Sequence, residues 1–249
     1  MKNDWIAGVE NPRAKLRLFC FPFAGGGALA YRTWPEQLPP EVEVCSLRLP
    51  GREGRLREAP YREAAPLAAA IASGIAEQYL DLPFVFYGHS MGAVVAFELA
   101  RTLRRRATPE PLCLLVSGRR APQVPFGQKL RSNLPKPEFI EVLRHYGGTP
   151  EILFQEDELM DLFLPTMRAD FALTDEYVYA PEAPLDYPIH AFHSEEDPAA
   201  TRDEAEPWRE QTSGDFTLRM FPGGHFFFND AATKPIFLGE MAGKLETFL

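Results

Sequence analysis

Five residues, Gly88-His89-Ser90-Met91-Gly92, stand between the apolar run Phe84–Tyr87 and the breaker-poor stretch Gly92–Leu103. A GxSxG string occurs often by chance, but on a strand-to-helix turn it has a physical meaning, the nucleophile elbow. Such a turn brings strand and helix backbones too close for side chains at the flanking glycines. Ser90 is then exposed at a helix N-terminus, and the amide of Met91 points to where an oxyanion would form. A serine hydroxyl near neutral pH is a poor nucleophile and requires a base within hydrogen-bond reach.

The chain has five histidines, so elimination is practical. His89 flanks the serine, where its ring cannot easily reach the hydroxyl from the base side. His145 falls in a helical interval away from the strands, and His190 and His193, three apart on one strand-like run, face opposite sides of a sheet. His225 remains, in the loop Phe221-Pro222-Gly223-Gly224-His225 after the last apolar run. Open α/β sheets place their ligands in loops at the carboxyl ends of strands, so His225 is the candidate base. With the chain order Ser…Asp/Glu…His, the acid falls in Glu195-Glu196-Asp197-Pro198. Asp197 is the choice, because Asp-Pro starts a turn and the shorter carboxylate is held more rigidly; Glu196 is the second candidate. On composition alone this cluster reads as a solvated acidic turn. A second oxyanion donor is expected from Phe21-Pro22-Phe23-Ala24-Gly25-Gly26-Gly27, at the amide of Ala24, with Phe23 as its neighbour. No GxxxxGK[ST] or GxGxxG string accompanies these glycines, which argues against nucleotide binding, and a zinc site at His190, His193 and Asp197 is scattered by strand geometry.

The elements that must position these groups follow from the periodicity. Strands are expected at Leu16–Phe23, Val42–Leu47, Phe84–Tyr87, Leu112–Val116, Ile189–Phe192 and Phe216–Phe221. Helices are expected at Ala64–Leu80, Gly92–Leu103 and Lys234–Leu249. This alternation predicts an α/β fold, a mostly parallel sheet covered by helices on both faces. The interval of about 120–186 breaks the rhythm. It holds a helix at Glu138–Tyr146 and a stripe of Leu159, Phe163, Met167 and Phe171, and reads as a helical lid inserted in a single domain, 1–249.

Composition limits the alternatives. Apolar residues at 45 % and charged residues at 24 % belong to a globular chain, and a net charge of −9 argues against a general nucleic-acid binder. No apolar run approaches the ~20 residues of a membrane span, and the N-terminus lacks a signal-peptide core. Three scattered cysteines, Cys20, Cys45 and Cys113, make neither a disulfide framework nor a thiolate metal site. A cytoplasmic location is the expectation.

Several strings together resemble one family. CFPFAGGG near the N-terminus, LRLPGRE at 47–53, YGHSMGAVVAFELA, SGRRAP at 117–122 and PGGHFFF at 221–228 are similar to the type II (editing) thioesterases of polyketide and nonribosomal peptide synthases, stand-alone α/β-hydrolases. The likeness runs from about Leu16 to Leu249. One departure is His193-Ser194-Glu195-Glu196-Asp197-Pro198, where the family commonly shows a glycine and two aspartates. The resemblance implies the α/β-hydrolase fold with a mobile helical lid, a Ser90–Asp197–His225 triad, and an oxyanion hole from Met91 and Ala24. It also implies hydrolysis of acyl thioesters from the phosphopantetheine arm of acyl or peptidyl carrier proteins, clearing stalled or misprimed groups. No metal or dissociable cofactor is implied, because the phosphopantetheine belongs to the substrate, and a monomer is favoured.

Carrier proteins are generally acidic, so a local basic face is expected despite the net charge. The candidates are Arg48, Arg52, Arg55 and Arg57, then Arg101, Arg104, Arg105 and Arg106, then Arg119 and Arg120. Simple solvation is favoured over partner binding for the 101–106 cluster, which also suits the C-terminal end of its helix, and contact of Arg52 or Arg119 with the lid stands level with partner binding. Rival readings are a serine esterase or lipase acting on free oxyesters, and a non-catalytic α/β-hydrolase binding protein, which the complete Ser, Asp and His set disfavours. A chain-releasing thioesterase is disfavoured by the few residues before the first strand and the lack of a carrier segment.

Overall fold

In a computed structural model, residues 4–127 and 130–249 are described. The remaining residues of the expected domain and insertion, 1–3 and 128–129, lie outside that set. Seven strands form one sheet in the order β1-β3-β2-β4-β5-β6-β7. They are β1 (Ile6–Ala7), β2 (Leu16–Phe21), β3 (Val42–Leu47), β4 (Phe84–His89), β5 (Leu114–Ser117), β6 (Ile189–Ser194) and β7 (Phe216–Phe221). β1 pairs antiparallel with β3, and every other pairing is parallel.

The parallel strands are apolar at successive positions because alternate side chains enter two different cores. Phe84 and Phe86 point to one face, against α1 (Ala64–Ile75) and α2 (Met91–Arg105). Val85 and Tyr87 point to the other, where they meet Trp34 and the helix of Lys234–Glu246 through Phe237 and Met241. The three cysteines are buried and unpaired, where burial raises each thiol pKa. None of the described helices is long and apolar enough to cross a membrane.

Between β5 and β6 the chain forms α3 (Lys136–Tyr146), α4 (Glu151–Gln155) and α5 (Asp157–Asp175). They enclose a separate apolar cluster that includes Phe139, Leu143, Met160, Leu164, Met167 and Phe171. The return segment runs along α2: Tyr177 donates to Glu98 at 2.6 Å, and Leu185 bridges to Thr212.

The differences from the expected elements have local causes. β2 stops at Phe21 because Pro22 has no N–H to donate. α1 ends at Ile75 rather than Leu80, and Tyr79, expected on its stripe, instead packs edge-on against Phe19 at 6.5 Å. The last helix ends at Glu246 instead of Leu249. Leu159 points outward, 40 % exposed, while Met160 takes the buried position. The two-residue β1, too short for any periodic signal, was not expected. The short α6 (Arg202–Ala205) and the C-terminal α7 (Lys234–Glu246) complete the labelled order.

Candidate active site

Ser90 stands alone between β4 and α2, with φ 55° and ψ −114°. A Cβ on Gly88 would lie 2.2 Å from the Gly92 carbonyl oxygen, and one on Gly92 would lie 2.2 Å from that of Phe21. Both approaches are impossible for a side chain, so the motif's glycines are a steric requirement. A positive φ at a non-glycine costs about 1–3 kcal/mol and persists where its surroundings hold it. Here the Ser90 N–H donates to the Ser117 carbonyl at 2.8 Å, fastening the turn to β5.

His225 and Asp197 meet across loops that follow adjacent strands. The Asp197 carboxylate lies with both oxygens 2.9 Å from His225 Nδ1. Both residues are buried, whereas Glu196 is exposed, so the two acid candidates separate cleanly. The acid loop is braced from within. The Ala199 N–H donates to Asp197 Oδ1 at 2.7 Å, His193 Nε2 to the Ala200 carbonyl at 2.6 Å, and Ser194 Oγ to the Gly224 carbonyl at 2.8 Å. That last bond ties the acid loop to the residue preceding His225. With Nδ1 occupied by the carboxylate, Nε2 is the His225 nitrogen left for a reacting group.

Ser90 and His225 line one cavity of about 230 Å³. The described hydrogen bonds do not join them, an arrangement common before substrate tightens a site. The cavity has an apolar wall, including Leu143, Leu153, Phe163 and Met167, and a polar wall that includes Arg119, Arg131 and Tyr146. His89 lies beneath, with Nδ1 2.8 Å from Ser117 Oγ and its ring 4.7 Å from that of His225. Burial, and then the neighbouring His225 and His193, lowers its pKa well below the usual histidine value. His89 is therefore a neutral structural ring and not a second base. His190 bonds Thr217 at 2.8 Å, apart from His193 on the same strand.

The glycine loop after β2 enters the cavity at Phe23, Ala24 and Gly25. Neither the Ala24 nor the Met91 amide is taken by another group among the described hydrogen bonds. This loop is held by the contact of Arg52 with the insertion, one of the alternatives open for that arginine in the sequence. Arg52 and Asp170 form a buried bidentate pair at 2.8 and 2.7 Å. Asp170 Oδ2 also accepts from the Gly25 N–H at 2.8 Å, and Arg52 Nη1 donates to the Gly26 carbonyl at 2.8 Å. Thr166 adds a bond to the Gly51 carbonyl at 2.8 Å. The LPGRE string is thus the fastening between the glycine loop and α5. Its arginine was visible in sequence, its partner was not.

The expected basic face largely dissolves. Arg101, Arg104 and Arg105 all pair with Glu182, and Arg106 caps α1 at Ser73 and Ala69. Arg55 pairs with Glu58 and stacks on Trp5, and Arg120 pairs with Glu204. Arg52 is buried in its pair with Asp170, and Arg119 faces the cavity. Arg48 and the exposed Arg57 make no ion pair among the described residues.

Known proteins share this arrangement of chain. Residues 16–245 match the family described as Thioesterase domain. The chain is 44 % identical over 235 residues to the gramicidin S biosynthesis protein GrsT of Aneurinibacillus migulanus, spanning 94 % of this chain and 91 % of that protein. It is 39 % identical over 219 residues to the thioesterase PikA5 of Streptomyces venezuelae, spanning 88 % and 78 %. The solved structure of RedJ, the thioesterase of the prodiginine pathway in Streptomyces coelicolor, superposes with a TM-score of 0.88 at 40 % identity, covering 94 % of this chain and 87 % of that one. The type II thioesterase BorB from the borrelidin biosynthetic cluster gives 0.85 at 33 % identity, with 99 % and 98 % covered. The chain belongs to the thioesterase family, as a type II thioesterase with the α/β-hydrolase fold, of the kind that accompanies polyketide and nonribosomal peptide synthesis.

Proposed function

We propose that this thioesterase removes acyl groups from the phosphopantetheine arm of carrier proteins by a Ser90–His225–Asp197 mechanism. The observation that carries the reading is the Asp197 carboxylate at 2.9 Å from His225 Nδ1, with His225 sharing a cavity with Ser90 on its strained turn. Ser90 Oγ attacks the thioester carbonyl and its proton passes to His225 Nε2. Asp197 holds the imidazole tautomer and stabilises the imidazolium. The amides of Met91 and Ala24 receive the tetrahedral oxyanion. His225 then returns the proton to the departing sulfur. With a thiol pKa of about 8.5, that leaving group needs less help than an alcohol. Water, deprotonated by His225, resolves the acyl-enzyme.

In this reading α3 and α4 form the moving part of a lid over the cavity, and the helical insertion admits the pantetheine arm. The biosynthetic settings of GrsT, PikA5, RedJ and BorB support a role in clearing stalled or misprimed acyl groups from a synthase. The test is hydrolysis of an acetyl or propionyl group loaded on a phosphopantetheinyl carrier protein, followed by intact mass. The same group on free pantetheine and as an oxyester runs alongside, with Ser90→Ala as the blank. Fastest clearance from the carrier upholds the reading. A faster oxyester, indifferent to the carrier, makes the protein a general esterase.

A further inference from the structure

Among the described residues, three rings pack around the imidazole of His225, and they have different origins. His89 lies 4.7 Å away at a tilt of 49°, and Phe226 meets it edge-on at 5.0 Å. Both belong to the body of the fold: His89 is the last residue of β4, and Phe226 follows His225 in its own loop. The third ring is that of Tyr146, the last residue of α3, which stands edge-on at 5.3 Å and 80°. Edge-on pairs at such distances are a favoured aromatic geometry. The helical insertion therefore supplies one wall for a base that Asp197 grips at Nδ1 alone.

Tyr146 is itself held in place. Its hydroxyl accepts from Arg131 Nη1, and the Arg131 guanidinium lies 5.1 Å from the ring centroid. Arg131 in turn donates to the buried Asp175, at the end of α5, from Nε at 3.1 Å, from Nη2 at 2.5 Å and from its backbone N–H at 2.9 Å. Phe171 of α5 adds an edge-on contact to the tyrosine ring at 6.3 Å. Just past Tyr146 the chain reverses through Gly147 and Gly148, at φ 72° and 79°. A Cβ on Gly148 would lie 2.4 Å from the Phe226 ring, so the reversal sits directly against the loop that carries His225.

An imidazole bonded through one nitrogen tilts about that contact unless its sides are packed. Proton transfer tolerates little tilt, since a misplacement of about 1 Å can cost about 10²-fold in rate. We propose that Tyr146 is a positioning residue for His225, its ring keeping the imidazole in line between Asp197 and Ser90. The base is then complete only while the end of α3 is in place, which ties attack by Ser90 to the closed insertion. This rests on the triad reading of Ser90, His225 and Asp197.

The test measures kcat and KM for the acetyl thioester of pantetheine in the wild-type enzyme, Tyr146→Ala and Tyr146→Phe. Alongside runs inactivation by diisopropyl fluorophosphate, a reagent with neither a thioester nor a pantetheine arm. There Ser90 Oγ displaces fluoride from phosphorus and its proton passes to His225, so the rate reads the pair and not the fit of a substrate. Tyr146→Ala is expected to lower kcat and the inactivation rate together, about 10- to 100-fold, with KM little changed. Tyr146→Phe keeps the ring and should recover most of both rates. A raised KM with both rates intact overturns the proposal, because the ring would then only line the cavity. So does a fall in kcat without a fall in the inactivation rate. An equal loss in Tyr146→Phe also overturns it, by moving the effect to the hydroxyl, and so does wild-type behaviour in both variants. If Tyr146→Ala fails to fold, Tyr146→Leu, which keeps bulk without an aromatic ring, is judged by the same measurements. Failure of the triad reading shows separately: His225→Ala would keep its turnover and its reactivity towards the fluorophosphate, and the proposal falls with it.

Discussion

The two arms of the helical insertion are held by different kinds of contact. α5 is fastened to the body by the buried Arg52–Asp170 pair and the Thr166 bond to Gly51. α3 and α4 are joined to α5 by their apolar cluster, by exposed pairs, Lys136 with Asp157 and Asp161 and Arg144 with Glu151, and at the end of α3 by Arg131, which bridges Asp175 and the Tyr146 hydroxyl. Buried bidentate pairs are costly to break on one side, whereas exposed pairs contribute about 0–1 kcal/mol. The insertion is therefore not uniformly a lid. α5 cannot swing without displacing Gly25 and Gly26, next to the proposed oxyanion donor Ala24. The opening proposed above is therefore assigned to α3 and α4, in keeping with lids being drawn from the least stable parts of a fold.

The fixed side gives the largest expected effect. Ser90→Ala and His225→Ala should each lower turnover of a carrier-bound acyl group by at least ~10³-fold, as in other serine triads. Asp197→Asn should follow, with Glu196→Gln near wild type; the reverse order would return the acid role to Glu196. Steady-state assays on the purified variants check both.

Next is the fastening itself. Asp170→Asn leaves the Arg52 charge without its carboxylate and weakens the acceptor for Gly25. It should cost about 3–5 kcal/mol in urea unfolding and lower kcat more than it raises KM. Replacing both partners, as Arg52→Met with Asp170→Leu, should restore much of the stability but not kcat. Recovery of both would reduce the pair to a packing contact and dissolve the contrast between the arms.

Acid tests the body of the sheet, where His190 bonds Thr217 between β6 and β7. Burial holds the His190 pKa down at about 4 and depresses His193 and His89 in the same direction. Between that value and the unfolded value of about 6.5 the unfolded chain binds more protons. Stability is thus full above about pH 6.5 and falls as the pH drops toward 4. His190→Gln should flatten that fall in a Tm series from pH 7 to pH 4.5, where each 1 kcal/mol is about 2–4 °C for a chain of this size.

The smallest effect belongs to the loose arm. Lys136→Ala removes two exposed ion pairs and should change unfolding free energy by less than about 1 kcal/mol. Amides of α3 and α4 should exchange with solvent faster than those of Thr166–Asp175. Equal protection would make the insertion one rigid body.

Much of this was legible in sequence where neighbours along the chain impose the geometry. The elbow could be read because Gly88 and Gly92 are demanded by a turn five residues long. The central parallel strands β4 and β5 could be read because they are buried on both faces and therefore largely apolar, whereas the edge strand β7 alternates. His225 followed from counting five histidines against the strand pattern. The Asp-Pro turn favours Asp197 over Glu196, but spacing alone does not show which of two adjacent acidic residues the loop turns inward. The arginines misled for a similar reason: their partner Glu182 lies about 80 residues away, and their type alone does not tell a solvated cation from a matched one.

By itself the sequence determined the layered α/β architecture, the strained serine and the short list of partners for it, since periodicity and steric exclusion act over a few residues. The tertiary structure decided which carboxylate reaches His225 and that Arg52 meets Asp170 across 118 residues. Those choices depend on loop ends brought together by the whole sheet, and chain spacing carries no record of them.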